Sequence, residues 1–255
     1  MNRFGAFAIH LGISLLIFLL LSYLIVFHWY PDFFFTTDGG WQGIRIIALV
    51  DLVLGPLLTL CVYRHGKPGL RTDLTLIGVF QISCLLAGTY VVYSERPIAM
   101  VYAAGFFHSM SAEDYQRVGQ PVPELDHLPG PSPKWVSVVL PEDVTAELAV
   151  RKQALQARIP LRTLSEYYVP FATSHIDMQQ DPFPLPSIEQ ERPEELAAFI
   201  AQHGGLPNNY LFFQLGTRYE FALMVFRKAD LSFAGTMLLA PVPSETTAEA
   251  GATAG

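Results

Sequence analysis

The stretch LGISLLIFLLLSYLIVF, residues 11–27, decides the fold of this chain. It lies in a longer segment, between Arg3 and Asp32, that contains no Asp, Glu, Lys or Arg. About 20 apolar residues in a helix cross a bilayer core of about 30 Å. Because this run is longer than the apolar core of a cleaved signal peptide and no A-x-A site follows it, we predict an uncleaved membrane anchor.

Two further apolar runs follow, at residues 46–63, where Asp51 is the single charge, and at 74–94, which is uncharged. The chain as a whole is 51% hydrophobic and 15% charged, against roughly 25% charged in an ordinary soluble domain. The sequence therefore predicts a transmembrane region over residues 1–95, with spans at about 7–30, 44–63 and 74–94.

Basic residues near the spans predict the orientation of the chain. The loop between the second and third runs contains Arg64, Lys67 and Arg71, whereas the loop after the first run contains Asp32 and Asp38 and no base. Basic loops stay in the cytoplasm. We therefore expect a cytoplasmic N-terminus and, after the third span, a domain on the opposite side of the membrane.

The remainder of the chain, from residue 96 to about 240, is long enough for one soluble domain. Residues 94–255 contain 11 basic and 19 acidic side chains and no clustered basic stripe, which argues against nucleic acid as a partner. Both cysteines, Cys61 and Cys84, lie in the spans, so this domain has no disulfide available. The ending, 241–255, has too little apolar content to pack and is predicted to be a disordered tail.

Local patterns predict an α+β domain with an antiparallel sheet. They indicate a strand pair within 98–110, a short helix capped by Ser111, a strand at 134–141, a helix opened by Pro141 with Val144, Leu148 and Leu155 on its buried face, a helix from Pro193 to Gly204, and a terminal meander of three strands. The proline-rich stretches at 119–133 and 170–186 are predicted to be irregular.

Asp51 is the sharpest feature of the membrane region. A carboxylate inside a span costs about 2.5–3.5 kcal/mol on insertion scales, so it usually faces protein or water. Counting from Ile44, we place Asp51 roughly 10 Å deep, level with Ser22 and Tyr23 of the first span. We expect Asp51 either to be protonated or to be hydrogen-bonded to one of these two residues, and to help fix the bundle. Two readings stay open: an internal structural contact, or a contact with a polar group of a client's transmembrane helix.

Gly55 and Pro56 follow Asp51 by one helical turn. Pro56 removes the hydrogen bond to the carbonyl of Leu52, so the helix should kink and open a polar notch beside the carboxylate. Gln81 is expected to make interhelical hydrogen bonds. His10 and His28 lie at opposite ends of the first span and cannot share a metal, so interfacial positions are expected for both.

No cofactor or metal is predicted, and no catalytic set is recognisable. Glu124, Asp126 and His127 cluster in a proline-rich loop without ligand spacing, and the chain has neither a P-loop nor G-x-G-x-x-G. A non-enzymatic protein is therefore expected. The alternatives are a membrane-anchored enzyme that modifies an envelope protein or polymer through carboxylates such as Glu166, and a proton-coupled channel or transporter built around Asp51.

The first hundred residues resemble the type IV pilin accessory proteins (TfpX/TfpZ type), which are inner-membrane proteins of bacteria that assemble type IV pili. The residues that carry the resemblance are Arg3-Phe4, Ala6-Phe7, His10-Leu11, Ser14, Trp29-Tyr30-Pro31, Gly40-Trp41, VDLVLGPLLTL at 50–60, Lys67-Pro68-Gly69, Asp73-Leu74, Tyr93 and Arg96-Pro97.

The resemblance implies an accessory factor of the bacterial inner membrane, with a periplasmic C-terminal domain, that binds its cognate pilin and modulates pilin assembly, stability or pilus dynamics. Its expected partners are the lipid bilayer and that pilin, with other pilus-assembly proteins as further candidates. The candidate site residues are Asp51, Gly55, Pro56 and Tyr23 in the membrane, and Tyr219 of the meander as a candidate partner surface.

Overall fold

Three helices long and apolar enough to cross a membrane open the computed structural model, which describes residues 2–171 and 182–239. They are span 1 (Arg3–Trp29), span 2 (Gly40–Val62) and span 3 (Leu70–Ser94), as the apolar runs predicted. Glycines in the left-handed region, Gly39 (φ 106°) and Gly69 (φ 82°), directly precede spans 2 and 3. A side chain is disfavoured in that conformation, so glycine suits both turns.

Spans 1 and 2 are not regular helices throughout. Span 1 consists of α1 (Arg3–Leu24) and a π-helical end, Ile25–Trp29. The short helix α2 (Phe34–Thr37) lies between spans 1 and 2. Span 2 consists of α3 (Gly40–Ala48), a π-helical segment at Leu49–Leu54 and α4 (Gly55–Val62). Span 3 is a single helix, α5 (Leu70–Ser94). The disruption predicted at Pro56 thus takes the form of π-helix on its N-terminal side.

The domain after span 3 is a mixed sheet with helices on one side, which confirms the predicted α+β class. Its described elements are β1 (Pro97–Ala103), β2 (Phe106–Ser111), α6 (Ala112–Arg117), β3 (Lys134–Val138), α7 (Val144–Ala157), β4 (Tyr168–Pro170), α8 (Leu185–Glu191), α9 (Pro193–His203), β5 (Tyr210–Gly216), β6 (Phe221–Arg227) and β7 (Phe233–Leu239). Ser111 caps α6 through a capping box with Asp114, as predicted.

The seven described strands lie in the order β4-β3-β1-β2-β5-β6-β7. Among them the hairpin β1–β2, the pair β3–β4 and the meander β5–β7 are antiparallel, as expected. The contacts β1–β3 and β2–β5 are parallel. These two pairs join strands that are distant in sequence, so local periodicity carried no signal for them.

The sheet buries both faces because its side chains alternate. One face, with Phe107, Phe213 and Phe226, packs on residues from the ends of the spans such as Ile25 and Val92. The opposite face packs against the helices α6, α8 and α9 and the loop before β3. The core of the domain is therefore continuous with the membrane bundle.

The predicted buried face of α7 is wrong. Val144, Leu148 and Leu155 are 66%, 60% and 80% exposed, and Ala154 is the one buried residue of this helix. The helix also begins at Val144, with Asp143 as its N-cap, and not at Pro141. The spans and the other helices already cover the sheet, and these three side chains of α7 therefore face solvent. The tail at 241–255 and part of the stretch at 170–186 lie outside the described residues.

Candidate functional site

A buried polar cluster joins the three spans around Asp51. Asp51 lies in the π-helical segment of span 2 and is 1% exposed. Ser14 Oγ of span 1 donates to Asp51 Oδ1 at 3.3 Å, and Gln81 Nε2 of span 3 donates to the same oxygen. Gln81 Nε2 also lies 3.1 Å from Ser14 Oγ. Each span therefore supplies one polar side chain to this contact, which confirms the interhelical role predicted for Gln81.

The cluster extends to His10 and Thr59. His10 Nε2 lies 2.8 Å from Gln81 Oε1, and His10 Nδ1 lies 2.6 Å from Thr59 Oγ1. Because a carboxamide oxygen only accepts, Nε2 must carry the proton, and a neutral ring then accepts at Nδ1 from the hydroxyl. Gln81 is thus held from both ends, by His10 at its oxygen and by Asp51 at its nitrogen.

Gly55 and Pro56 shape the space around Gln81. Both are buried at the start of α4. A Cβ at Gly55 would overlap the carboxamide of Gln81, so only glycine leaves room for this side chain. The π-helical segment ends at the residue before Gly55, and such segments often mark functional sites. The predicted polar notch is therefore occupied by Gln81 itself.

The expected partners of Asp51 on span 1 are wrong. Tyr23 is 54% exposed and contacts the rings of Phe27 and His28, and the hydrogen bond from span 1 comes instead from Ser14. Span 2 begins at Gly40 and not at Ile44, so Asp51 lies about 16 Å from the start of its helix. The structure brings Asp51 level with Ser14, about two turns further along span 1 toward the N-terminus than Ser22.

One signal in the sequence could have found the missed residues. Asp51, Gly55 and Thr59 recur at every fourth position, as do His10 and Ser14. Residues four apart share one face of a helix. Polar or small residues on one stripe of an otherwise apolar span mark the face that meets other helices.

A groove of about 390 Å³ lies between spans 1 and 3, with the cluster at its base. Span 2 packs against both of these helices, and the hydrogen bonds of Gln81 with His10 and Ser14 join span 1 to span 3 at the base of the groove. All five residues of the cluster, His10, Ser14, Asp51, Thr59 and Gln81, line the groove, and aliphatic side chains such as Ile13 and Ile82 form its walls. Asp51 Oδ2 is buried and has no hydrogen-bond partner among the described residues.

A second polar site connects the spans to the sheet domain. Arg218, in the β5–β6 turn, forms ion pairs with Glu95 at the end of span 3 and with Asp114 of α6, the latter at 3.4 Å. Asp114 also pairs with Arg117 at 3.1 Å. A cavity of about 360 Å³ adjoins these groups, and its lining includes Asp38, His108 and Arg162.

Two titratable groups of this junction are perturbed. Burial raises the pKa of Asp38, although hydrogen bonds from Thr37 and Ser109 oppose the shift. Burial, with the positive charge of Arg162, lowers the pKa of His108 to about 4. His108 is therefore neutral at physiological pH. Because the carboxylates that meet Arg218 are already paired, the chemistry of this site is that of an ionic link.

Tyr219 belongs to the same junction. Its backbone N–H donates to the carbonyl of Thr37 at 3.2 Å, and its ring fills the space that a Cβ at Gly39 would need. The side chain is 49% exposed, so one side of the ring contacts the loop after span 1 and the other remains open. Glu166, the carboxylate suggested for an enzyme, is exposed on a short 3₁₀ turn, Ser165–Tyr167, and does not line either cavity.

Comparison with known proteins identifies three relatives in Dichelobacter nodosus. The fimbrial assembly protein of serogroups C1 and C2 is 32% identical over 108 residues, which are 42% of this chain and 82% of that protein. Those of serogroup E1 and serogroup I are 30% and 31% identical over 125 residues, 48% of this chain. The chain spans about half of the length of the latter two, 49% in each case. No family model matches the chain, and no solved structure is similar to it.

Proposed function

Because the chain belongs to the family of the Dichelobacter nodosus fimbrial assembly proteins, we propose that it is an accessory factor in the biogenesis of type IV pili. The match to the protein of serogroups C1 and C2, which covers 82% of that relative, is the observation that carries this proposal. In this role the chain binds its cognate pilin and modulates pilin assembly, stability or pilus dynamics, without catalysis.

The structure supports a contact with pilin at two levels. In the membrane, a groove with a polar base lies between spans 1 and 3. Beyond the membrane, the sheet domain is fixed to the ends of the spans through a shared core and the ion pairs of Arg218. A subunit anchored in the membrane could therefore touch the spans and the domain of one accessory protein at the same time.

The proposed location is the bacterial inner membrane, with the N-terminus cytoplasmic and the sheet domain periplasmic. Arg64, Lys67 and Arg71 of the loop between spans 2 and 3 support this orientation. The test is labelling of single cysteines at exposed positions, Lys67 in the loop and Lys228 in the meander, in a variant without Cys61 and Cys84. An impermeant maleimide should label position 228 and not position 67 in intact spheroplasts. The reverse pattern contradicts the orientation.

A clean deletion in the source bacterium tests the function. We expect a loss of surface pili of at least tenfold, measured on sheared fractions and restored by the gene in trans. Affinity-tagged chain should copurify pilin from detergent extracts. The mass of pilin from the deletion strain should equal that of the wild type, because an accessory factor leaves no covalent change. Normal pili in the deletion strain would refute the proposal, and a change in pilin mass would favour the enzyme.

A further inference from the structure

The groove between spans 1 and 3 differs in one respect from an ordinary lipid-facing surface. Its walls are aliphatic and uncovered: Ile9, Ile13 and Ile82 are each more than half exposed. Its base holds a carboxylate oxygen, Asp51 Oδ2, that is buried and unpaired among the residues the structure describes. A buried polar atom without a partner is destabilising, because it has lost its hydrogen bonds to water and gained none in return.

Lipid cannot satisfy Asp51. An acyl chain that fills the groove covers its walls but offers no hydrogen-bonding group, so Oδ2 stays unpaired in a bilayer alone. A transmembrane helix can both cover the aliphatic walls and supply a hydrogen-bonding group. Its aliphatic ridge packs between two neighbouring helices, and one polar side chain reaches the base of the groove. The missing hydrogen bond thus favours a helix over lipid as the occupant.

Gly78 keeps the groove open. It lies on span 3 among the lining residues, and a Cβ built there meets nothing within 4 Å. Within residues 2–171 and 182–239, no close contact therefore requires a glycine at this position. Small residues on a membrane helix allow another helix to approach closely. The empty space at Gly78 is available to a guest helix beside the polar base.

We propose that this groove binds the transmembrane helix of a fimbrial subunit, and that a hydrogen-bonding side chain of that helix pairs with Asp51 Oδ2. The proposal rests on the proposed function for the identity of the guest. The polar cluster then holds Asp51 in place through Ser14 and Gln81, and the free oxygen selects a subunit helix with a polar group at matching depth.

Photo-crosslinking in piliated cells tests the position of the guest. A photoreactive amino acid replaces Ile13 or Ile82 on the groove walls, or Leu16 or Leu86 as controls, which are at least as exposed on the same two helices but lie outside the groove. We expect crosslinks to pilin from the two wall positions with at least tenfold higher yield than from the controls. Equal yields from all four positions, crosslinks only to a second copy of this chain, or crosslinks only to lipid overturn the proposal.

A blocking variant tests the groove without disturbing the polar cluster. Gly78→Leu should fill the groove and reduce the pilin crosslink from Ile13 at least tenfold. Gly88→Leu is the matched control, because a Cβ at Gly88 on the same helix also meets nothing within 4 Å and Gly88 does not line the groove. Unchanged crosslinking in Gly78→Leu, or an equal loss in Gly88→Leu, overturns the proposal.

The hydrogen bond itself is tested at Asp51. Asp51→Asn keeps a hydrogen-bonding group at the base and should retain the crosslink within about threefold, whereas Asp51→Leu should lose it at least tenfold. The thermal unfolding of each variant is measured in detergent, and a crosslink retained in a folded Asp51→Leu overturns the role of Oδ2.

If the groove positions fail to crosslink pilin while the deletion strain still lacks pili, the groove proposal falls and the proposed function stands. If the deletion strain has normal pili, the proposed function falls.

Discussion

At the scale of single residues, Gly55 decides whether the polar cluster can form. Its missing Cβ gives space to the carboxamide of Gln81, which joins His10 to Asp51. We expect Gly55→Ala to displace Gln81 and to lower the free energy of unfolding by about 1–3 kcal/mol, the usual cost of overpacking. The measurement is thermal unfolding of the chain in detergent.

Gly88→Ala controls for the general effect of alanine in a membrane helix. The added Cβ meets nothing within 4 Å, so its unfolding should match that of the wild type. Equal stability of Gly55→Ala and Gly88→Ala would show that Gln81 does not need the space at Gly55.

His108 gives the sheet domain a dependence on pH. Its pKa is lowered from 6.5 to about 4 in the folded chain, so between these values the unfolded chain binds more protons. The contribution of His108 to the free energy of unfolding is therefore fully present above pH 6.5 and decreases as the pH falls toward 4. At pH 5 it is smaller by about 2 kcal/mol. Asp38, with its raised pKa, acts in the opposite sense, since its protonation favours the folded chain at low pH.

The contribution of His108 is isolated by comparing the wild type with His108→Gln. Urea unfolding at pH 8 and pH 5 should show that the wild type loses about 2 kcal/mol more than the variant on acidification. The same loss in both chains would mean that His108 is accessible to protons in the folded domain.

At the scale of elements, α7 exposes the face that its sequence pattern marks as buried. Because Leu148 and Leu155 do not contact a core, Leu148→Ser and Leu155→Ser should change the free energy of unfolding by no more than about 0.5 kcal/mol. Leu196→Ala on α9, where Leu196 is 5% exposed, should cost about 2–5 kcal/mol. Urea titration of the three variants makes the comparison. A cost for Leu155→Ser near that of Leu196→Ala would place this face against another part of the protein.

At the scale of the whole molecule, Arg218 and Tyr219 fix the sheet domain to the spans. Arg218 pairs with Glu95 and Asp114, and the Tyr219 amide bonds to Thr37. Ion pairs that are partly exposed contribute up to about 1 kcal/mol. We therefore expect Arg218→Ala to leave both parts folded and to speed hydrogen exchange in the loop after span 1 about fivefold.

Arg151→Ala is the control for the loss of an ion pair elsewhere. Arg151 pairs with Glu147 at 2.7 Å on α7, far from the junction in the element order. Exchange in the loop after span 1 should not change in this variant. Equal exchange in Arg218→Ala and the wild type would show that the shared apolar core alone holds the domain in place.

The sequence by itself determined the membrane bundle and most single elements. Residues 11–27 are seventeen uncharged and mostly apolar residues, which predicts a membrane span. Alternating or four-residue spacing specified the meander, the Ser111 cap and α9. These are local signals, in which each residue's own chemistry and that of its near neighbours fix the conformation. Asp51 also stood out locally, because a carboxylate in a span requires a partner.

Only the tertiary structure decided which partners meet. The height of Asp51 relative to span 1 depends on how the two helices pack, and the hydrogen bond comes from Ser14, more than two turns away from the predicted Tyr23. The parallel pairs β1–β3 and β2–β5, the exposed face of α7 and the groove between spans 1 and 3 arise from contacts between segments far apart in the chain. The spacing of apolar residues indicates which face of a helix or strand is apolar. Which other segment covers that face depends on how the whole chain packs.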